Sequence, residues 1–386
     1  MRKRIFSITI FCLIVLFLPL SAQTWSRTKR ITWSFLRSAG SNVGIDSSNN
    51  IHVVYFDNSI DHLNYEIYYK KSTDGGSNWS TKRLTWNPGE SIYASIAVDS
   101  SDNIHVTWQD GSPGNREIYY KRSTNAGTSW STTKRQTNNS GDSRNPVISA
   151  DSSGNIHLVW FDFTPGDSEI FYKKSTDGGN IWLATSRLTW NSGSSVSPGM
   201  AIDSNGHIHV VWEDSTPGNS ELYYKKSTNG GTSWSTTKRL TWSSGISHTN
   251  KGCLGIDSSD RIHIVWSDNT PGDNQIYYKR SESGGDTWTS SKRLTWNSDD
   301  SSYPSIAFDS NNHIHVVFHD GPSQNCDIYY KKSTNNGATW NTNRLSWSSG
   351  DSLFPDVALD FDDTIHVFWH DDSTGMDQIY YKKGIQ

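Results

Sequence analysis

Three arginines, Arg37, Arg116 and Arg144, and three tyrosines, Tyr65, Tyr93 and Tyr303, stand outside a pattern that the rest of the chain obeys closely. A guanidinium fork fixes a carboxylate through two parallel hydrogen bonds, so three such forks on one face would make an anion clamp. A second group of chemically capable residues is repeated instead of unique. Asp110, Asp162, Asp214 and Asp268 open near-identical loops that close on Glu117, Glu169, Glu221 and Gln275. Carboxylates and amides with flanking aromatics suit the hydroxyls and apolar faces of sugars. Copies of one weak site around a molecule would gain affinity by multivalency. The leading Asp has a simpler role as the cap of its own turn, and the Pro-Gly of these loops fits the centre of a type II turn.

The elements that must position these residues come from a repeat. The pattern Ile-His-Val-Val-Trp-x-Asp, or a close variant, occurs seven times, with its His at 52, 105, 157, 209, 263, 315 and 366. About ten residues after each follows an acid or amide and then Ile-Tyr-Tyr-Lys or a near variant, from Glu66 in the first unit to Gln378 in the last. Each unit reads as four short strands rich in β-branched and aromatic residues and bounded by Gly, Pro, Asn, Asp and Ser. In the second unit these are expected at 95–99, 103–108, 117–122 and 130–135. No stretch has a helical period, so the chain is all-β. Alternation leaves both faces of the second strand largely apolar, and a sheet apolar on both sides must be sandwiched. Stacking the sheets radially as blades does this while leaving only short, protected edges.

The last unit stops after its third strand. Its missing outer strand stands near the other end of the chain, as Trp25-Ser26-Arg27-Thr28-Lys29-Arg30-Ile31-Thr32-Trp33. The expectation is therefore a seven-bladed β-propeller of four-stranded antiparallel blades, closed by the N-terminal strand pairing into the last blade. It would occupy residues 23–386, with 24–33 supplying the outer strand.

Ahead of it, Met1-Arg2-Lys3-Arg4, an apolar run from Ile5 to Leu20 and Ser21-Ala22 have the layout of a secretory signal peptide, cleaved after residue 22. The run is shorter than the roughly 20 residues that span a bilayer, so no membrane association is expected after cleavage and the protein is placed outside the cell or in the periplasm. Losing Arg2, Lys3 and Arg4 takes the formal charge from −4 to −7, which disfavours nucleic acid as a partner. Cys12 leaves with the leader. Cys253 and Cys326 remain, on one face of adjacent blades, where an oxidising compartment would allow a single bridge. No His-x-x-x-His or Cys/His cluster suggests a metal, and no cofactor is expected.

Between the third and fourth strands, six units carry Ser-x-Asp/Asn-x-Gly-x-x-Trp. The copies are Ser72, Asp74, Gly76, Trp79; Ser123, Asn125, Gly127, Trp130; Ser175, Asp177, Gly179, Trp182; Ser227, Asn229, Gly231, Trp234; Ser281, Gly285, Trp288, with Ser283 in place of the acid; and Ser333, Asn335, Gly337, Trp340. The motif resembles the Asp-box, or BNR repeat, of the sialidase-like propellers, and with its flanking strands it covers almost the whole mature chain. Chemically it reads as a hairpin staple: an acid bonding local N–H groups, a glycine free to take φ > 0, and an indole plug. The resemblance implies that these turns lie on the face opposite the functional one. That face is built from the loops between blades and between second and third strands.

In a sialidase, by the same resemblance, three arginines hold the substrate carboxylate, a Tyr activated by Glu is the nucleophile and an Asp is the acid/base. Arg37, Arg116, Arg144, Tyr65, Tyr93 and Tyr303 are the candidates for such roles. This chain, however, has no Arg-Ile-Pro triplet, and it counts seven units where sialidases have six blades. Subtracting the repeat also leaves little for a unique catalytic set. All 18 Trp occupy repeat positions, and the seven second-strand histidines read as neutral, hydrogen-bonded packing residues. The leading expectation is a secreted, monomeric, non-catalytic propeller that binds glycans or another extracellular polymer through repeated loops. The alternatives are a divergent exo-sialidase or other glycoside hydrolase, and a cell-surface scaffold for protein partners.

Overall fold

A computed structural model describes residues 23–58, 64–216, 218–322 and 324–385; the leader expected at 1–22 lies outside the described residues. Seven antiparallel sheets form the ring. Blade 2 shows the plan. Its innermost strand Ser91–Val98 pairs with Ile104–Asp110, which pairs with Glu117–Ser123, which pairs with the short outer strand Lys134–Arg135.

The last blade is composite, as its missing segment requires. Thr24–Trp25 and Lys29–Arg30 run along Gln378–Ile385, with Trp25 opposite Gly384 and Arg30 opposite Tyr380. Ile31 is fully buried beyond them and its N–H donates to Ile379 O at 2.9 Å. The seam is thus the same kind of interface as the others: one apolar cluster joins Val53, Tyr55 and Tyr68 of blade 1 to Phe368, Ile379 and Tyr381 of blade 7.

The second strands are buried along their whole length in six blades, for example Ile51–Asp57 and Ile156–Asp162, and in blade 6 up to His319, because each is covered on both faces by neighbouring blades. Buried among these apolar side chains, six of the seven repeated histidines hydrogen-bond both a tyrosine of the next strand and an aspartate of the preceding turn, while His315 bonds Tyr330 and stands 3.4 Å from Asp309. In blade 2, His105 Nε2 donates to Asp99 Oδ2 at 3.1 Å and its Nδ1 accepts from Tyr120 Oη at 2.8 Å. Both ring nitrogens are satisfied in the neutral tautomer. Burial pushes His157 and His209 down to about 4.

The Asp-box turns staple blade to blade as well as strand to strand. Asp74 Oδ1 accepts from Asn78 N and Ser72 Oγ, both at 2.8 Å, and Gly76 N donates to Ser72 Oγ at 2.9 Å. Trp79 then stands edge-on to Tyr381 of the preceding blade, 5.6 Å between centroids, and Trp130, Trp182, Trp234, Trp288 and Trp340 repeat that contact. In blade 5 the Ser283 hydroxyl replaces the acid, accepting from Thr287 N at 2.8 Å.

The structure corrects one expectation about the loops, one about a strand and one about the cysteines. The turn in the second loop closes from Gly114 N to Gly111 O at 3.1 Å, so Pro113-Gly114 ends it instead of forming its centre. The innermost strand of blade 2 begins at Ser91, four residues earlier than 95. Cys253 and Cys326 are buried free thiols. Cys253 is fully enclosed in the apolar cluster between blades 4 and 5, whereas Cys326 Sγ sits against Gly321 O and Pro322 O at 3.5 Å within its own loop.

Candidate ligand site at the channel mouth

The extra length of the innermost strands builds the site. In blade 2, Ile92 faces Gln109 and Ser95 faces Thr107, so one surplus residue is squeezed into the inner strand. A bulge of this kind re-aims a side chain at the cost of local backbone strain. It recurs in six blades, and the residue at its crest is left-handed each time: Gly40 (φ 66°), Tyr93 (55°), Asn145 (48°), Ser197 (52°), Tyr303 (52°) and Phe354 (51°). Bulky side chains seldom occupy that region, and when they do the strain marks a place where a side chain is needed in an exact direction. Proline follows the crest at Pro146, Pro198, Pro304 and Pro355, where the ladder asks for no N–H donor.

Blade 5 breaks the series. Its inner strand is split into Ser247–His248 and Leu254–Ile256, with the segment Thr249-Asn250-Lys251-Gly252 pushed into the channel. Lys251 Nζ reaches from blade 5 to blade 2, where it donates to Ala94 O at 2.6 Å. Burial lowers this ammonium to about 8, against the opposing pull of Asp356.

Together these residues line a cavity of about 460 Å³ at the end of the channel where the second-to-third-strand loops lie. One wall is aromatic. Tyr303 lies 4.1 Å from Phe354 and stacks on His319 at 5.4 Å, and Phe354 stacks on His370 at 5.2 Å. Burial drives both histidines down to about 3, so this wall is uncharged. Tyr93, half exposed, leans on Phe56 from the side of blade 2.

The other wall is polar. Glu213 is buried, accepts from Thr249 N at 2.7 Å through Oε1, and meets His248 Nδ1 at 3.2 Å through Oε2. The bond to Glu213 holds the His248 imidazolium above its ordinary range. Asp356 accepts from Asn42 Nδ2 at 2.7 Å, Val43 N at 3.0 Å and Ser305 Oγ at 2.9 Å. A pocket with stacking faces on one side and oriented donors and acceptors on the other is the ordinary form of a small-ligand site.

Of the off-pattern residues singled out by sequence, Tyr93 and Tyr303 line this cavity and the others do not. Arg116 and Arg144 share Asp142, with Arg144 Nε at 3.1 Å and Arg116 Nη1 at 3.6 Å. Arg37 pairs with Asp377 at the seam between blades 7 and 1. The three guanidiniums are therefore neutralised by protein carboxylates and form no common clamp. Tyr65 packs edge-on to Phe56, 5.1 Å away, outside the cavity.

The repeated carboxylates are spent internally. Asp110 accepts from Ser112 N at 2.8 Å and Ser91 Oγ at 2.7 Å, which ties the loop to the innermost strand. Asp162, Asp214 and Asp268 do the same with Ser143, Ser195 and Ser247. Glu117, Glu169 and Glu221 are buried against Arg135, Arg187 and Arg239 at 2.8, 2.6 and 2.9 Å. Among the described residues, no group of three or more His, Cys, Asp or Glu is placed to hold a metal.

Glu213, Lys251, Asn145, Phe354 and Asp356 were missed by sequence reasoning. Two signals pointed to Lys251 and Glu213, and none to the other three. The interval from His209 to His263 is the longest in the repeat, and the position before each loop Asp changes from Phe56 to Gln109, Phe161, Glu213, Ser267, His319 and His370.

The ring of blades defines the class, a seven-bladed β-propeller with a ligand-sized cavity at the mouth of its channel. Residues 239–381 match a BNR repeat-containing family, a stretch that holds the Asp-box turns beginning at Ser281 and Ser333. No curated protein matches it in sequence. Among solved structures it is similar in fold to a family PL25 ulvan lyase, at TM-score 0.65 and 11% identity over 92% of this chain and 95% of that one. It is also similar to an α-L-arabinofuranosidase of Fusarium graminearum, at TM-score 0.56 and 12% identity over 77% and 93%. A Dyadobacter fermentans protein of unknown function aligns at TM-score 0.59 and 14% identity over 77% and 94%.

Proposed function

We propose that this chain is an exported, non-catalytic glycan-binding propeller whose ligand enters the cavity at the channel mouth. The observation that carries the reading is the loss of sevenfold repetition at that one place, where stacking surfaces face fixed polar groups. Tyr303 and Tyr93 offer rings to the apolar face of a pyranose or furanose. Glu213 and Asp356 accept from its hydroxyls, and His248 and Lys251 donate. The fold neighbours that act on polysaccharides lend the ligand class support. Against the sialidase alternative stands the absence of a free arginine clamp, since each candidate arginine already holds a carboxylate.

Calorimetric titration with short oligosaccharides, beginning with arabinobiose and a glucuronate–rhamnose disaccharide, tests the reading. The expected result is a dissociation constant in the micromolar to millimolar range, weakened at least tenfold in Tyr303→Ala, a loss of about 1.4 kcal/mol. Absence of heat with every sugar of a broad panel would refute the ligand class, and a cleaved product would refute the non-catalytic assignment. Export is checked by the mass of the mature chain, expected to begin at Gln23.

A further inference from the structure

Six indoles are left in solvent by a fold that buries most of its other aromatics. Trp33, Trp86, Trp190, Trp242, Trp296 and Trp347 are between 65 and 70% exposed. Each follows the outer strand of one blade, at the start of the connection to the next, on the same face as the cavity. Blade 2 has Asn138 at the equivalent place. The platforms therefore form one unbroken arc, from Trp190 round through Trp242, Trp296, Trp347 and Trp33 to Trp86. Singly exposed apolar residues are ordinary, but here six indoles recur at one repeat position on one face of the ring.

The rings are also held in place. The guanidinium of Arg83 lies 5.6 Å from the Trp86 ring, and Lys121 of the next blade lies at the same distance. Arg187 with Lys225, Arg239 with Lys279, and Arg344 with Lys382 repeat the arrangement at Trp190, Trp242 and Trp347. The two cations differ in their partners. Each Arg is paired with a buried acid of its own blade, Glu66, Glu169, Glu221 or Asp327. Each Lys is bonded to a backbone carbonyl: Lys121 Nζ to Leu84 O, Lys225 to Leu188 O and Lys279 to Leu240 O at 2.6 Å, and Lys382 to Leu345 O at 2.7 Å. Among the described residues no carboxylate forms an ion pair with these four lysines. Each of these four platforms thus combines a fixed aromatic face with a lysine ammonium that lies under the ring, buried at Lys225, Lys279 and Lys382, and that no carboxylate pairs.

We propose that this arc is a second binding surface, for a linear acidic polysaccharide that stacks sugar rings along its length on the indoles, the lysine charges beneath four of them favouring its carboxylates. Separate platforms set in polar surroundings fit a polymer with small apolar faces and hydrophilic edges. The surface is distinct from the cavity and stands without it.

Affinity electrophoresis through gels containing polygalacturonate tests the arc, with Trp190→Asn, Trp242→Asn, Trp296→Asn and Trp347→Asn combined. Asparagine is chosen because Asn138 already serves at that position. The wild-type chain should be retarded, and the fourfold variant should lose roughly a hundredfold in apparent affinity, as expected when linked weak sites are removed. Tyr303→Ala should remain retarded, which separates failure of the cavity from failure of the arc. Should the fourfold variant not fold, Trp242→Asn alone decides, with an expected loss of about threefold. Equal retardation of wild type and variant, or none of either, would overturn the proposal. So would a Trp→Asn effect confined to flotation with anionic vesicles or to self-association.

Discussion

The buried Asp–His–Tyr relays and the channel mouth use the same residue types in opposite ways. In the relays, Asp151, His157 and Tyr172 occur with six equivalents, every histidine is buried, and in all but the His315 copy bonds run from carboxylate to imidazole to phenol. At the mouth, Glu213, His248 and Tyr303 occur once, His248 is half open to water, and the backbone that presents Tyr303 is left-handed. Such a relay taken singly would look like a catalytic device. Repetition and burial make it a wedge between blades, while chemistry that can meet a ligand is found where the repeat stops.

Acid should separate the two regions most strongly. Each relay histidine with a lowered value is neutral in the folded protein, and in the unfolded chain it takes a proton near 6.5. Its contribution is therefore complete above pH 6.5 and lost as pH falls toward the folded value, about 4 for His157 and His209. A difference of that size is worth about 3 kcal/mol for each of these two sites. His248 moves the other way: its raised value means that the Glu213 contact is strongest at low pH and weakens as pH rises through that value. Urea midpoints should fall steeply between pH 6.5 and 4. His248→Gln should leave that fall unchanged, and His157→Gln should flatten it. An acid transition that disappears in His248→Gln would invert the assignment of roles.

The second comparison is between two glycines that share positive φ. Gly179 of an Asp-box (φ 86°) lies under the Tyr120 hydroxyl of the preceding blade, which a Cβ would meet at 1.9 Å. Gly166 in a second-to-third-strand loop (φ 109°) has nothing within 4 Å of such a Cβ. Gly179→Ala should cost about 3–5 kcal/mol, because it adds overpacking at a blade interface to backbone strain. Gly166→Ala should cost only the strain, about 1–2 kcal/mol. Chemical unfolding of both variants measures the difference. Equal losses would mean that the Asp-box does not work as a staple between blades.

Blade number, ring closure and Asp-box chemistry were legible because each is written several times and each copy corrects the reading of the others. The mouth was legible only in part. Tyr93 and Tyr303 stood out as aromatics off the pattern, but the bulges that aim them break the alternation of the inner strand, so 95–99 was read as the whole strand. The second-to-third-strand loops misled for the reverse reason. Asp110 and Glu117 have the composition of a sugar site, and only coordinates show their oxygens turned inward to Ser91 and Arg135. Lys251 depends on a local insertion whose path across the channel no periodicity encodes.

The smallest effect expected is the most direct probe of the bulges. At Ser197 the left-handed backbone (φ 52°) carries a short side chain, and its carbonyl accepts from Thr249 Oγ1 at 2.7 Å, a contact that survives any substitution of the side chain. Relief of the Cβ clash in this region is worth about 1–2 kcal/mol. Glycine gives back about 0.5–1 kcal/mol through the greater freedom of the unfolded chain. Ser197→Gly should therefore stabilise the protein by about 0.5 kcal/mol and change ligand affinity less than Tyr303→Gly, since it removes no stacking surface. Tyr303→Gly removes the same strain together with a stacking wall, so its affinity should fall even if its stability holds. A stability gain at Ser197 alongside lost affinity at Tyr303 would show that the fold carries strained aromatics at its mouth for the sake of the ligand. Destabilisation by Ser197→Gly would mean that the bulge geometry is imposed by packing alone.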